Sequence, residues 1–219
     1  MKYLIKLLLC LCISVSYAQN INWSSINNDQ NQLTYLNFGY DFGVTTQVGY
    51  GYKIKTDKPI LFNADYSFPM GKNIIDDFKI RLGGQISIYQ KKNFIFSAKV
   101  LSVFRNHETK LVRMANFGSQ TSVLAGLYKS KWHIAGEFGY DKSSIIHLKH
   151  STAMKKNFPS ISDGWFSPSG GHFFFGLQGS RIMGKFVEIS LRVGTITAQF
   201  KDKNPLLPIY CQIEVNYKF

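Results

Sequence analysis

The final eleven residues admit one kind of local structure. Ile209, Cys211, Ile213, Val215, Tyr217 and Phe219 are apolar or aromatic, and Gln212, Glu214, Asn216 and Lys218 between them are polar. A period of two over this length is a β-strand with one apolar and one polar face. The final strand therefore predicts a sheet that separates an apolar side from a polar one.

The same alternation recurs along the chain. Leu36, Phe38, Tyr40, Phe42, Val44, Val48, Tyr50, Tyr52 and Ile54 share one parity, with Asn37, Asp41, Gln47 and Lys53 on the other. This run is too long for one strand of ordinary length, and Asp41 and Gly43 are turn residues, so it reads as two strands. Further strands are predicted from Ile60 to Phe68, Phe78 to Ile88, Phe94 to Val100 and Leu111 to Tyr128. Others start at Trp132 (running as far as Leu148), Phe173, Val187 and Ile209. The strand over residues 111–128 has the poorest pattern, with Arg113, Ser119 and Thr121 on its nominally apolar face. Residues 56–59, 90–93, 129–131 and 183–185 read as turns. Residues 69–76, 106–110 and 201–205 read as loops, and residues 149–171 form the longest irregular stretch. No capped helix is read. Asp65, Arg81, Lys99, Glu137, Glu188 and Arg192 fall in mid-strand on the polar parity.

A chain ending on Phe219, with Tyr217 and Val215 before it on the same face, resembles the C-terminal signal of small Gram-negative outer-membrane β-barrels. In that family the closing strand is read by the barrel assembly machinery, so the resemblance implies that Val215, Tyr217 and Phe219 form an assembly signal. It also implies a closed antiparallel all-β barrel in the outer membrane, in contact with its lipid and lipopolysaccharide. Such barrels have even strand numbers, short periplasmic turns and long external loops. Ten strands are expected if the first run is split, with eight the alternative. With Phe219 placed in the periplasm, the turns and loops above fall on alternate sides with the lengths the family requires. Aromatics near strand ends (Tyr50, Tyr52, Trp132, Tyr140, Tyr217) match interfacial girdles. A soluble barrel would show the same alternation with its faces reversed.

The start of the chain reads as an export leader. A basic opening at Lys2 and Lys6 is followed by the apolar run from Leu7 to Val15, then small residues at Ser16 and Ala18. A cleaved signal peptide over residues 1–18 is expected, because the run is shorter than the roughly 20 residues a spanning helix needs. Residues 19–32 read as a loose segment, and 33–219 as the barrel. Cys10 and Cys12 lie in the leader, which leaves Cys211 alone and excludes an internally disulfide-stapled domain. The net charge is +13. In an exported chain this does not point to nucleic acid. Its lysines cluster in turns (Lys91, Lys92, Lys129, Lys131), which fits lipid phosphates and equally fits simple turn solubility.

No metal motif or phosphate loop is present, and no cofactor is expected. Gly49-Tyr50-Gly51 lies inside a strand, where small residues suit a crowded polar face. The histidine-rich region offers the one candidate for catalysis. His147, His150 and Ser151 lie close in sequence, with Asp141, Asp163 and His172 at the bases of the same hairpin. His beside Ser resembles the lipid A deacylases of the outer membrane, although that family's His-x-Ser spacing and following Asn are absent. Asp141 with His147 resembles the acid–His pairs of barrel proteases. Solvated loop residues are the plainer reading, and a metal site from His147, His150 and His172 is a further alternative. Two non-enzymatic roles are also expected. Asp65, Glu137, Glu188 and Glu214 can pair with Arg81, Lys99, Arg105 and Arg192 inside the barrel, because buried charges must be paired or wet. Such pairing closes the lumen, and a narrow water-filled pore is the alternative. Phe158, Trp165 and Phe166 among Lys155 and Lys156 suit contact of the 149–171 loop with an extracellular or envelope partner.

Overall fold

The computed structural model describes residues 30–40, 43–54, 56, 58–70, 76–200 and 208–219. The expected leader, Cys10 and Cys12 lie outside them. Among the described residues there are eleven strands: β1 (Gln32–Tyr40), β2 (Val44–Ile54), β3 (Ile60–Pro69), β4 (Asp77–Lys91), β5 (Phe94–Glu108), β6 (Val112–Lys129), β7 (Trp132–His150), β8 (Gly164–Phe166), β9 (His172–Met183), β10 (Val187–Ala198) and β11 (Ile209–Lys218). A short helix, α1 (Thr152–Asn157), follows β7.

Ten of these strands form a closed antiparallel barrel. Successive strands pair from β1 through β7, then β7 with β9, β9 with β10 and β10 with β11. The ring closes by β1 against β11, in register from Leu33 opposite Lys218 to Tyr40 opposite Cys211. At that seam Gln32 N–H donates to the Phe219 carbonyl and Phe219 N–H to the Gln32 carbonyl, each at 3.0 Å. The end that holds Gln32 and Phe219 is called the terminal end, and the opposite one the loop end. β8 is an addition to the upper edge of β7 rather than a barrel stave. The first long alternation is two strands, as Asp41 and Gly43 predict, and the count is ten rather than eight.

Alternation sorts the side chains. Phe62, Leu82, Val100, Ile134, Phe138, Leu177, Leu191 and Ile213 point outward and are exposed. Asp65, Arg81, Lys99, Glu137, Glu188, Arg192 and Glu214 point inward and are buried. Toward the terminal end the interior holds an apolar cluster of Leu33, Tyr35, Leu61, Ile95, Tyr128 and Ala135. Glycine makes this filling possible. A Cβ on Gly49 would sit 2.3 Å from the Tyr35 ring, so only glycine lets that ring lie flat against the wall.

Two aromatic rows ring the outside. Near the loop end, Phe68, Tyr66, Phe78, Phe104, Phe117 and Trp165 make successive ring contacts across β3, β4, β5, β6 and β8. Near the terminal end stand Phe186, Tyr217 and Phe219, the pair Tyr89 and Phe94, and Trp132 beneath the Lys129 ammonium. Phe78 and Tyr89 lie eleven positions apart on β4. At about 3.3 Å per residue and the roughly 40° tilt of barrel strands, the rows stand about 28 Å apart.

Several boundaries differ from the sequence expectation. β5 continues to Glu108 and β7 to His150, so residues 106–108 are strand rather than loop. The 149–171 stretch is not wholly irregular, because it holds α1 and β8. The helix escaped the sequence reading because six residues with no buried face carry no periodicity. Ser151 provides its cap, accepting from Met154 N–H at 3.2 Å. Arg113, Ser119 and Thr121 do face outward. Arg113 lies beyond the aromatic row, where it reaches Glu108 and Asn106, each at 3.5 Å.

Candidate functional site

The lumen carries four polar groups, each built around one carboxylate. On β3 and β4, Asp65 and Arg81 stand directly opposite in register and pair at 2.8 Å. Arg81 also donates to Gln47, and Tyr35 donates to Asp65 at 3.3 Å. Glu137 on β7 receives Arg192 Nε from β10 at 2.6 Å, with Lys99 Nζ from β5 at 3.8 Å. Arg192 further donates to Gln212 at 2.9 Å and lies 4.4 Å from the Tyr210 ring centroid. Glu188 receives Lys218 Nζ at 2.5 Å and Ser180 Oγ, and His133 Nδ1 lies 3.5 Å away. Glu214 accepts from Ser190 at 2.8 Å and Asn37 at 3.2 Å. Each carboxylate is thus solvated by protein groups drawn from several strands, as charge in a low-dielectric interior requires.

The sequence reading chose these carboxylates but not all their partners. Arg105 makes a two-point contact with Asp77 at 2.8 and 3.0 Å near the loop end, where His107 adds a third contact at 3.0 Å. Asp77 falls between the expected loop over residues 69–76 and the strand expected from Phe78, and its position across from Arg105's strand becomes visible only once β4 and β5 are in register. Lys218 and His133 were also missed as partners of Glu188. Their parity already placed them on the polar face, and this was the available signal.

The loop cluster is arranged differently from the sequence expectation. Ser151 Oγ caps α1. Asp163 Oδ1 accepts His150 N–H at 2.8 Å and lies 3.0 Å from His150 Nδ1, while Lys155 Nζ meets Oδ2 at 2.5 Å. The Lys155 ammonium and the His150 backbone N–H hold the Asp163 carboxyl well below the usual carboxylate range. Asp141 and His147 share a parity, yet they do not share a face. Gly118 pairs with Ser143 and Phe117 with Ile145, so Ser144 is an extra residue in β7. That bulge reverses the alternation. Asp141 lies opposite Gln120 on the inward phase, whereas His147 packs outward on Trp165 at 4.7 Å. His172 stands opposite Asp141 at the start of β9. Among the described residues no group of three His, Cys, Asp or Glu side chains could hold a metal, so His147, His150 and His172 do not converge.

The remaining sequence candidates are surface groups. Phe158, Trp165 and Phe166 are exposed on the loop beside exposed Lys155 and Lys156. Val215 and Tyr217 lie on the outward face of β11, the exposed Phe219 follows its end, and Tyr217 contacts both Phe186 and Phe219. Cys211 is an exposed free thiol on the same face.

No protein-family model matches this chain, and no curated protein matches it. Among solved structures, a mutant of the Rh. blastica porin aligns over 87% of this chain and 99% of its own, at 6% identity and a TM-score of 0.24. A second, described as "Asymmetric conductivity of engineered proteins", aligns over 87% and 99% at 6% identity and a TM-score of 0.22. Similarity at that level carries no weight here, and the barrel assignment rests on this chain's own strand register.

Proposed function

We propose that this chain is an exported outer-membrane barrel protein without enzymatic activity. It presents the 149–171 loop outside the cell on a barrel whose lumen is closed to solutes. The outward apolar band between two aromatic rows supports the membrane setting, since its height matches the roughly 25 Å apolar belt of such barrels. The buried cluster around Tyr35 and Tyr128 and the paired charges above it support the closed lumen.

The observation that carries the binding role is the braced loop. Asp163 ties Lys155 of α1 to His150 of β7, and this fastened segment leaves Phe158, Trp165 and Phe166 54%, 60% and 42% exposed, with Trp165 seated against His147 and Phe117. Apolar side chains held out on a fixed external loop serve recognition. The hydrolase reading loses support because Ser151 is engaged as a helix cap and Asp141 and His147 point to opposite faces.

The test is binding of envelope glycans and envelope proteins to the full barrel and to a variant lacking residues 155–168. Binding lost with the loop supports the role, and binding unaffected by the deletion overturns it. Incubation with lipopolysaccharide and unstructured peptides, followed by mass spectrometry, tests the rival. Turnover abolished by His150→Ala or Ser151→Ala would make the chain a hydrolase. Planar-bilayer recording tests the lumen, where large stable openings would replace closure with a pore.

A further inference from the structure

The outer wall carries one depression that ends in positive charge. On the outward face of β9 the sequence runs Leu177, Gly179, Arg181, with Ile134 and Trp132 of β7 opposite the last two and Leu191 and Ile189 of β10 on the other side. Gly179 forms the floor. A Cβ there would meet only the His133 carbonyl, at 3.3 Å, so the glycine leaves a dent rather than resting under a neighbour. Ile134, Leu177, Leu191, Val193 and Ile213 wall a groove of about 860 Å³ above it. The groove reaches Trp132 and Arg181, which also line a second hollow of about 970 Å³ bounded by Ser130, Lys131 and Gly184 at the terminal end.

Arg181 is exposed, and among the described residues no ion pair joins it to a carboxylate. The turns around it add Lys129, Lys131 and Lys185, and residues 129–131 and 183–186 contain no acidic residue. A hydrocarbon slot running into an arginine and a lysine, beside a tryptophan at the level of the aromatic row, is complementary to a molecule with an acyl chain and an anionic head.

We infer that this groove is a specific site for an anionic glycerophospholipid of the leaflet at the terminal end. One acyl chain lies over Gly179, and the phosphodiester is held between Arg181 and Lys131. The inference rests on the membrane setting proposed above. A long apolar chain needs the dent, and the phosphate needs the cations, so neither feature alone defines the site.

The experiment is native mass spectrometry of the full barrel in detergent, with phosphatidylglycerol or phosphatidylcholine of matched chains added. One retained phosphatidylglycerol per barrel is expected, with phosphatidylcholine retained at least tenfold less. The double variant Arg181→Glu/Lys131→Glu should lower phosphatidylglycerol retention about tenfold or more. Gly179→Leu should lower it through the chain alone, for both lipids. Equal retention of the two lipids overturns the inference, as do retention unchanged in the double variant and a lipid-free dimer occupying the face. Heat-modifiable gel migration of each sample shows that the barrel is folded. A chain soluble without detergent would refute the membrane setting itself, before any lipid is added.

Discussion

The belt shared by all ten staves and the crest built by β5, β6 and β7 obey different rules. β1, β2, β3, β10 and β11 have 9 to 12 residues, close to what crossing a membrane requires. β5, β6 and β7 have 15, 18 and 19. Within the belt the outward face is mainly apolar, with Ser119 and Thr121 of β6 as polar exceptions, and the inward face holds the paired charges above the Tyr35 cluster. Above the row of Phe78, Phe104 and Phe117 the outward face turns polar at Asn106, Glu108 and Arg113. Ser144 then resets the alternation and aims His147 at Trp165. One continuous hairpin is therefore two environments. In the belt a side chain is fixed by which solvent its face meets, and in the crest by which local partner it finds.

The largest expected break in that contrast is Glu137→Leu. It leaves Lys99 and Arg192 buried without their shared carboxylate, and removing one partner of a buried ion pair costs about 3–5 kcal/mol. Denaturant unfolding in vesicles should show that loss. A change under about 1 kcal/mol would mean the lumen is wet enough to solvate both cations. Next comes a pair of arginine scans. Leu82→Arg, midway down the outward face of β4, should cost about 2–4 kcal/mol, and Ala115→Arg, above the aromatic row on β6, about 0–1 kcal/mol. Similar costs at both positions would erase the boundary between belt and crest.

A smaller effect is expected from Ser151→Ala, which removes the cap of α1 and should cost the loop about 1 kcal/mol. Faster proteolysis within residues 152–158, with unchanged global unfolding, is the expected result. The smallest effect is a pH dependence confined to the crest. The folded pKa of Asp163 is depressed, so its contribution is present above the ordinary carboxylate pKa of about 4 and is lost as pH falls through the lower folded value. Hydrogen exchange of the 150–163 segment should quicken as pH is lowered below about 4, after correction for the intrinsic rate, and Asp163→Asn should remove the effect. Protection that stays constant through that range would detach Asp163 from the brace.

How legible each region was follows from the same contrast. In the belt, parity alone reports a side chain's environment, since successive residues of a strand meet opposite solvents. The faces of β3, β4, β10 and β11 could therefore be read directly, and so could the inward carboxylates Asp65, Glu137, Glu188 and Glu214. The break between β1 and β2 was readable because Asp41 and Gly43 are residue types a reversal needs. Partner choice was not readable. Lys218 reaches Glu188, and Arg105 turns to Asp77, because which inward groups meet depends on strand register around a closed ring, and no single strand encodes that. Parity also failed in the crest. One inserted residue, Ser144, separates Asp141 from His147, and a bulge leaves no mark in composition or periodicity. The amino-acid sequence by itself determined the alternation and the inward placement of charge, since these follow from local geometry and solvent preference, while the choice of ten strands over eight waited on the pairing around the ring. Only the tertiary structure decided the pairings, the bulge and the brace at Asp163, because each depends on strands distant in the chain being held at one height.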